Sequence, residues 1–284
     1  MTRPLHVVGA QLSPVAGDPE STFAKFAAEV RTIRGSFPKA QLYLFPELYL
    51  TGDMPFRSHV PMPGNRHQVP GPLTDRIGDV ARRARRWIQA GSIYEAAGRK
   101  TFNTALLFAP DGRLAASYRK LFPWMPFEGT DPGSAPPPVV ELPRIGAAGM
   151  MICYDGWFPE VPRSLALRGA ELIMHPTLTS TADREEELVL ARANAIANQC
   201  YVLNVNGALE VGGGRSIGVD PEGRVLFEGG SGEEYLSEVL DLDRVRTVRE
   251  RGTRGMNRLL WQLAEHGPAA ADPDYRGLRR CTTT

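Results

Sequence analysis

Two short runs in this 284-residue chain are apolar at every position and then break off at one polar side chain beside a turn. Gly149-Met150-Met151-Ile152 ends at Cys153, ahead of Tyr154-Asp155-Gly156-Trp157-Phe158-Pro159-Glu160. Leu42-Tyr43-Leu44-Phe45 ends at Pro46-Glu47. A run with no polar position reads as a strand buried on both faces, which belongs inside a layered α/β fold. A third strand, Leu114 to Lys120, carries its lysine to an edge in front of Leu121-Phe122-Pro123-Trp124. In α/β folds the C-terminal ends of parallel strands converge on one rim, so groups far apart in sequence can meet there.

The rest of the chain alternates strands and helices. Leu5 to Leu12 reads as a buried strand. Asp18 caps a helix with Pro19 in its first turn, and Phe23, Phe26, Ala27 and Val30 follow at helical spacing. Gln41 to Glu47 is a second strand. Residues 53–72 form a Pro-rich loop with Met54, His59, Met62 and His67. A helix begins at Thr74 or Asp75 and runs through Ile77, Val80, Ala81, Ala84 and Trp87. Ala90 to Glu95 is a strand, and Phe102–Ala109 and Leu114–Lys120 form a hairpin across Pro110-Asp111-Gly112. Strands at 139–142 and 147–152 precede a helix over 158–169, a strand at 171–175 and a helix over 182–198. Strands near 201–207, 214–219 and 235–241, with a turn at Pro221-Glu222-Gly223, lead to a last helix over 242–264. We expect one domain over residues 1–266 and a loose tail over 267–284.

The three strand-end groups make chemical sense together. A cysteine thiol is mostly protonated at neutral pH, so a nucleophilic Cys153 needs a base, and Glu47 can be one. Attack on a carbonyl builds negative charge on oxygen, which the Lys120 ammonium can stabilise. The junction ahead of Phe158-Pro159-Glu160 places the thiol near backbone N–H groups, conditions that favour a thiolate. Each group also has a plain reading: a small core cysteine, a satisfied carboxylate, a solvated lysine.

In these motifs the chain resembles the nitrilase or carbon–nitrogen hydrolase superfamily, which uses a Glu–Lys–Cys triad in that order. Phe45-Pro46-Glu47, Tyr118-Arg119-Lys120 and Ile152-Cys153-Tyr154-Asp155 carry the likeness. Val69-Pro70-Gly71-Pro72, Asn103-Thr104 and Arg168-Gly169-Ala170-Glu171-Leu172-Ile173 support it, as do Ala191-Arg192-Ala193-Asn194-Ala195 and Asn198-Gln199-Cys200-Tyr201-Val202. It extends over about residues 5–265. The resemblance implies a four-layer α-β-β-α sandwich, a class that periodicity alone narrows only to α/β with mixed sheets. Tyr118 to Gly129 and Asp155-Gly156 are similar to the aliphatic amidase and formamidase branch, which implies a small amide substrate and a second glutamate, Glu128, beside the triad. A purely structural ion pair with Lys120 or Arg119 is the other reading of Glu128. The pattern departs from that branch at Tyr154, where aliphatic amidases carry Asp, and at Trp157, where many superfamily amidases carry Arg. The family habit also implies a homodimer or higher homo-oligomer, and the apolar face Met256, Leu259, Leu260, Trp261 and Leu263 suits either that or core burial.

The Tyr154 N–H is expected to join Lys120 at the oxyanion. Tyr49, Trp124 and Trp157 are candidates for an aromatic wall around the acyl group, or for ordinary core. His175 and Thr177, at the end of the strand over 171–175, match a family segment that lines the substrate pocket; no partners at metal-ligand spacing surround His175. Gly212-Gly213-Gly214 lacks a following Gly-Lys-Ser/Thr and reads as a flexible turn between strands. No cofactor is called for. Net charge is +1, from 33 basic and 32 acidic residues, which calls for neither nucleic acid nor a membrane surface. No apolar stretch has the length of a membrane span, and the N-terminus carries no recognisable leader. Cys153, Cys200 and Cys281 are too widely spaced for a metal or disulfide framework and suit a reducing, cytoplasmic setting, with Cys200 in core packing. Hydrolysis of a small amide to an acid and ammonia is the expected reaction. Hydrolysis of an N-carbamoyl group, acyl transfer to an amine, and a catalytically silent assembly subunit are the alternatives.

Overall fold

Neighbouring residues of the apolar runs bury in opposite directions. Leu42 and Leu44 point into one core while Tyr43 and Phe45 point into another. Met150 and Ile152 share the first of these cores, with Met151 on the opposite side. Leu172 and Met174 likewise face Ile173 across their strand. This period of two, with both faces covered, is why the runs carry no polar position.

The computed structural model describes residues 3–52, 64–209 and 211–266. Met54, His59 and Met62, and the tail with Cys281, lie outside the described residues. In chain order the elements are β1 (Pro4–Gln11), α1 (Pro19–Ser36), β2 (Leu42–Leu44), α2 (Pro72–Ala84), β3 (Trp87–Ala97), β4 (Lys100–Phe108), β5 (Leu114–Arg119), β6 (Val139–Leu142), β7 (Gly146–Met150), α3 (Glu160–Leu167), β8 (Leu172–Pro176), α4 (Arg184–Asn198), β9 (Tyr201–Val205), β10 (Ile217–Val219), β11 (Val225–Glu228), β12 (Glu234–Asp241), α5 (Asp243–Arg251) and α6 (Leu259–His266). One sheet has the order β12-β1-β2-β3-β4-β5 and the other β11-β10-β9-β8-β7-β6. The pairs β1–β2, β2–β3, β7–β8 and β8–β9 are parallel, and the remaining pairs are antiparallel.

Three apolar cores separate four layers. Phe26, Val30 and Ile33 of α1 and Ile77 and Ala81 of α2 cover the outer face of the first sheet. Leu165 of α3 and Leu188, Ala191 and Ala195 of α4 cover the second. Leu5, Val7, Leu44, Leu107, Met150, Met174, Leu203 and Val205 fill the space between the sheets. The chain is therefore the expected α-β-β-α sandwich. Among the described residues no helix is long and apolar enough to cross a membrane.

Local chemistry sets the element ends. Asp18 accepts from the Ser21 N–H at 2.9 Å and starts α1. The Thr74 hydroxyl accepts from the Gly71 N–H at 2.8 Å, so α2 begins at Pro72, two residues ahead of the sequence expectation. The helix also ends earlier than expected: Arg85 turns left-handed (φ 55°), and Trp87 opens β3, paired with Leu42. Pro46 limits β2 to three residues, because it offers no N–H to a ladder. Strand β11, after the Pro221-Glu222-Gly223 turn, is absent from the sequence reading. The expected helix over 242–264 is two helices broken at Gly252 (φ 91°), whose N–H bonds to Val248 O at 2.8 Å. Met256, Leu259, Trp261 and Leu263 stand exposed rather than in the core. The Gly212-Gly213-Gly214 segment wraps the buried Asn206 amide, which donates to Gly212 O, to Gly214 O at 2.8 Å and to Thr179 O at 3.1 Å.

One glycine fixes how the Glu47 loop sits. Gly91 (φ +70°) lies in a bulge of β3, and a Cβ there would come within 1.9 Å of Pro46 O. Beside it, Phe45 N bonds to Gln89 O and Leu48 N to the Ser92 hydroxyl, both at 3.0 Å. Gly98 has a similar φ (+63°) with open space around it. Gly98→Ala should therefore cost about 1 kcal/mol in urea unfolding, and Gly91→Ala at least about twice that. Equal losses would show that the close approach to Pro46 carries no weight.

Candidate active site

Glu47, Lys120 and Cys153 meet at one rim of the sandwich. Glu47 follows β2, and its N–H reaches across to Thr177 O at 3.3 Å, just beyond β8. Lys120 follows β5 and is tied by its backbone N–H to Asn103 O of β4 at 2.8 Å. Cys153 opens a single 3-10 turn (Cys153–Trp157) beyond β7.

The Lys120 ammonium, 1 % exposed, lies 3.0 Å from Glu47 Oε1 and 2.7 Å from Glu128 Oε2. Glu128 is held on every side: Trp124 N–H donates to Oε2 at 2.9 Å, and Asn103 Nδ2 and the Thr130 hydroxyl donate to Oε1 at 3.0 and 2.8 Å. Asn103 also donates to Glu47 Oε1 at 2.7 Å, so one amide bridges both carboxylates. Asn103 is a site residue that the sequence reading left as part of a strand. A polar side chain in mid-strand is the signal, and the hairpin that places it beside Lys120 gives it meaning.

The electrostatics follow from burial and these contacts. Burial opposes every charge here. For Glu47 burial prevails, and repulsion from Glu128 adds to it, so its carboxyl sits above the usual carboxylate range despite Lys120. Burial also acts against the charge of Glu128, yet Lys120 and the three other donors bring that carboxyl down to about 2. Lys120 is held above its ordinary value because Glu128 and Glu47 outweigh burial. Burial and the neighbouring Glu47 push the Cys153 thiol well up, with Lys120 and the Leu178 N–H opposing. Against the expectation of a ready thiolate, burial and Glu47 favour the protonated thiol, and Glu47, within hydrogen-bonding reach of the sulfur, is placed to take its proton. The Cys153 sulfur also lies 3.6 Å from the Thr179 hydroxyl, another neighbour the sequence reading did not single out.

Asp155 ties the Cys153 turn to the Lys120 strand end. Wholly buried, it accepts from Ile152 N at 3.0 Å and the Tyr118 hydroxyl at 2.9 Å on one oxygen, and from Phe122 N at 3.0 Å on the other. Ile152 precedes Cys153, while Tyr118 and Phe122 flank Lys120. Burial pushes this carboxyl up to about 6 against the pull of Lys120 and its three donors.

The remaining candidates divide. Trp124 is beside Glu128 through its backbone and packs on Phe127 (centroids 4.5 Å). Tyr154 packs against Trp157 and Phe158 at 6.0 and 5.2 Å. Tyr49 is in the outer core with Phe45 and Phe26, which is packing rather than an acyl wall. Thr177 is fully buried; its hydroxyl turns to Asn204 Oδ1 at 3.3 Å and its carbonyl holds Glu47. His175 has both ring nitrogens engaged by protein, with Nε2 2.9 Å from Cys153 O and Nδ1 3.1 Å from Asn204 Nδ2. Among the described residues no three His, Cys, Asp or Glu gather as metal ligands.

The family model for carbon–nitrogen hydrolases matches residues 7–250, and the chain belongs to that family. A formamidase of Bacillus cereus (strain B4264) is 32 % identical over 179 residues, 62 % of this chain, and the match spans 53 % of the formamidase, about half its length. A formamidase of Pseudomonas syringae pv. tomato is 29 % identical over 267 residues, 92 % of this chain and 76 % of its own. Among solved structures, an amidase from Nesterenkonia sp. superposes with TM-score 0.72 at 26 % identity, over 88 % of this chain and 95 % of that one. A cysteine-to-alanine mutant of that amidase is described in complex with butyramide, and a glutamate-to-glutamine mutant with acrylamide added at the active-site cysteine.

The Asp155 clamp leads to a measurable outcome. Asp155→Ala leaves three donors without their acceptor, so a loss of about 3 kcal/mol or more is expected in urea unfolding. A loss below about 1 kcal/mol would mean that water or a shifted loop replaces the carboxylate.

Proposed function

We propose that this chain hydrolyses a small linear amide to a carboxylic acid and ammonia through a thioester on Cys153. The observation that carries the reading is the cluster in which the buried Glu47 carboxylate adjoins both the Lys120 ammonium and the Cys153 thiol, with Glu128 holding the lysine. The formamidase relatives and the butyramide-bound Nesterenkonia amidase support a small amide as substrate.

In the proposed course, Glu47 takes the thiol proton as sulfur attacks the carbonyl carbon. The carbonyl oxygen becomes an oxyanion held by the Lys120 ammonium and the Tyr154 N–H. The C–N bond breaks, and the nitrogen leaves as ammonia with the proton from Glu47. Water then gives a proton to Glu47 and attacks the thioester carbon. Collapse of this second oxyanion releases the acid, and the thiolate recovers its proton. Glu128 stays ionised throughout and keeps Lys120 charged. A protonated resting thiol makes this order necessary, since sulfur gains its nucleophilicity only as the base acts.

Ammonia release from formamide, short aliphatic amides, ω-amides and N-carbamoyl amino acids tests the reading. We expect turnover on at least one unsubstituted amide and a loss of at least about 10⁴-fold in Cys153→Ala. Activity retained in that variant would remove Cys153 from the reaction, and release confined to N-carbamoyl substrates would replace the amidase reading.

The pH profile gives a second check. Glu47 must be ionised to act, so the acid limb of kcat/KM should lie above the ordinary carboxylate value of about 4.3. Glu128 raises Glu47 by repulsion and shares its lysine, so Glu128→Gln should lower the Glu47 value. The acid limb of the residual activity should then move to lower pH. Movement to higher pH would show that the limb belongs to another group.

A further inference from the structure

The carbonyl of Cys153 is as closely held as its sulfur, and the direction of every proton in that hold can be deduced. Arg184 is a guanidinium and only donates. It gives Nη1–H to Glu187 Oε2 at 2.6 Å and Nη2–H to Asn204 Oδ1 at 2.9 Å and Arg215 O at 2.6 Å. The Asn204 amide is thereby oriented, with its oxygen toward Arg184 and the Thr177 hydroxyl. Its NH2 then faces His175 Nδ1 at 3.1 Å and Glu187 Oε1 at 3.3 Å. A ring nitrogen facing a donor must accept. The imidazole proton therefore sits on Nε2 and is given to Cys153 O at 2.9 Å.

Fixing that carbonyl fixes a whole peptide plane. In a trans peptide the C=O and the following N–H point in opposite directions. With Cys153 O drawn toward His175, the Tyr154 N–H is directed away from it. Tyr154 is the second residue of the 3-10 turn, where an N–H has no acceptor within the turn. Cys153 itself is held at φ 42°, a left-handed conformation that a non-glycine residue leaves unless its surroundings hold it. His175 is 1 % exposed and packs over Gly156, where a Cβ would come within 2.6 Å of the ring.

We propose that His175, locked in its Nε2–H tautomer by Asn204 and Arg184, is a positioning residue that holds the Cys153–Tyr154 peptide plane and so aims the Tyr154 N–H at the oxyanion. This rests on the amidase reading above for the oxyanion it serves. Burial keeps the imidazole below its ordinary pKa, in keeping with a neutral ring. Protonation would set an Nδ1–H against the Asn204 NH2. His175, with both ring nitrogens bonded to protein, thus acts on the reaction through the backbone.

The test separates aiming from support of the turn. Nitrogen-15 NMR of labelled histidine, with the His175 signals assigned by their loss in His175→Gln, should show a protonated Nε2 and a bare Nδ1; a protonated Nδ1 overturns the proposal. His175→Phe keeps the ring shape and removes the donor. Its kcat on the best amide should fall about 10²-fold with KM little changed, the scale of losing one oxyanion donor. Alkylation of Cys153 by iodoacetamide displaces iodide at a saturated carbon and forms no oxyanion, so its rate should stay within about threefold of wild type on this account. His175→Gln, whose amide N–H can replace Nε2–H, should recover most of the lost kcat. Alkylation that falls in step with kcat, or equal losses in the Phe and Gln variants, would reduce His175 to a structural support. If wild type releases no ammonia from any amide, the amidase reading fails by itself. The same comparison on p-nitrophenyl acetate, where attack by Cys153 also builds an oxyanion, then decides the His175 proposal independently.

Discussion

Lys120 carries its ammonium into the interior between two carboxylates, and the architecture of the rim follows from what that burial demands. An ion taken out of water this completely is tolerated only when its partners are fixed and themselves satisfied. Glu128 meets the demand with donors on both oxygens, and Asn103 satisfies both carboxylates with a single amide. Three negative or potentially negative groups surround one positive charge, since Cys153 is the third. With Glu128 matched to the lysine, Glu47 and Cys153 cannot easily both be ionised, so a proton stays in the cluster. That proton, moving between sulfur and Glu47, is what the proposed reaction uses. Removing Lys120 would leave two buried carboxylates without their cation, so the cluster is a coupled unit rather than a sum of contacts.

Strand-end positions were legible in the sequence, whereas the groups that orient them were not. Glu47 and Cys153 stood out because each terminates an apolar run, and Lys120 because it precedes an aromatic, proline-bearing loop. Asn103 and Asp155 were visible only as members of family motifs, without a role. One lies mid-strand and the other in a turn, and what they do depends on which segments lie across from them. Thr179 is a similar case, brought to the sulfur by the loop after β8. The fold class followed from alternation of strands and helices together with family resemblance, but boundaries shifted wherever one backbone conformation intervened. Arg85 turning left-handed moved Trp87 from helix to strand, and Gly252 split the last helix. The Gly212–Gly214 segment reads as flexible because glycine is permissive; two of its carbonyls are in fact gathered by Asn206, a side chain brought there only by the fold.

Both reacting turns contain a left-handed non-glycine residue: Cys153 itself and Leu48, directly after Glu47. Such conformations persist only where neighbours over-determine them. For Leu48 the neighbours are the Ser92 hydroxyl on its N–H and the Gly91 bulge beneath Pro46. For Cys153 they are His175 on its carbonyl and Asp155 on the preceding N–H. Backbone geometry at the rim is therefore set largely by side chains behind it, and substitutions there can alter chemistry without touching a substrate.

The sheets divide the reacting groups unequally. Glu47 and Lys120 belong to the first sheet, and Cys153 to the second. Either sheet alone holds only part of the proposed machinery: one the Glu47 carboxylate and the Lys120 ammonium, the other the thiol. A nascent chain reaches the lysine before the cysteine and can complete the site only when its second half has packed onto its first. On the proposed reading, reactivity thus arrives late in the life of the molecule, as a by-product of successful assembly, and a chain stalled halfway through synthesis or folding lacks half of the groups that the reaction needs.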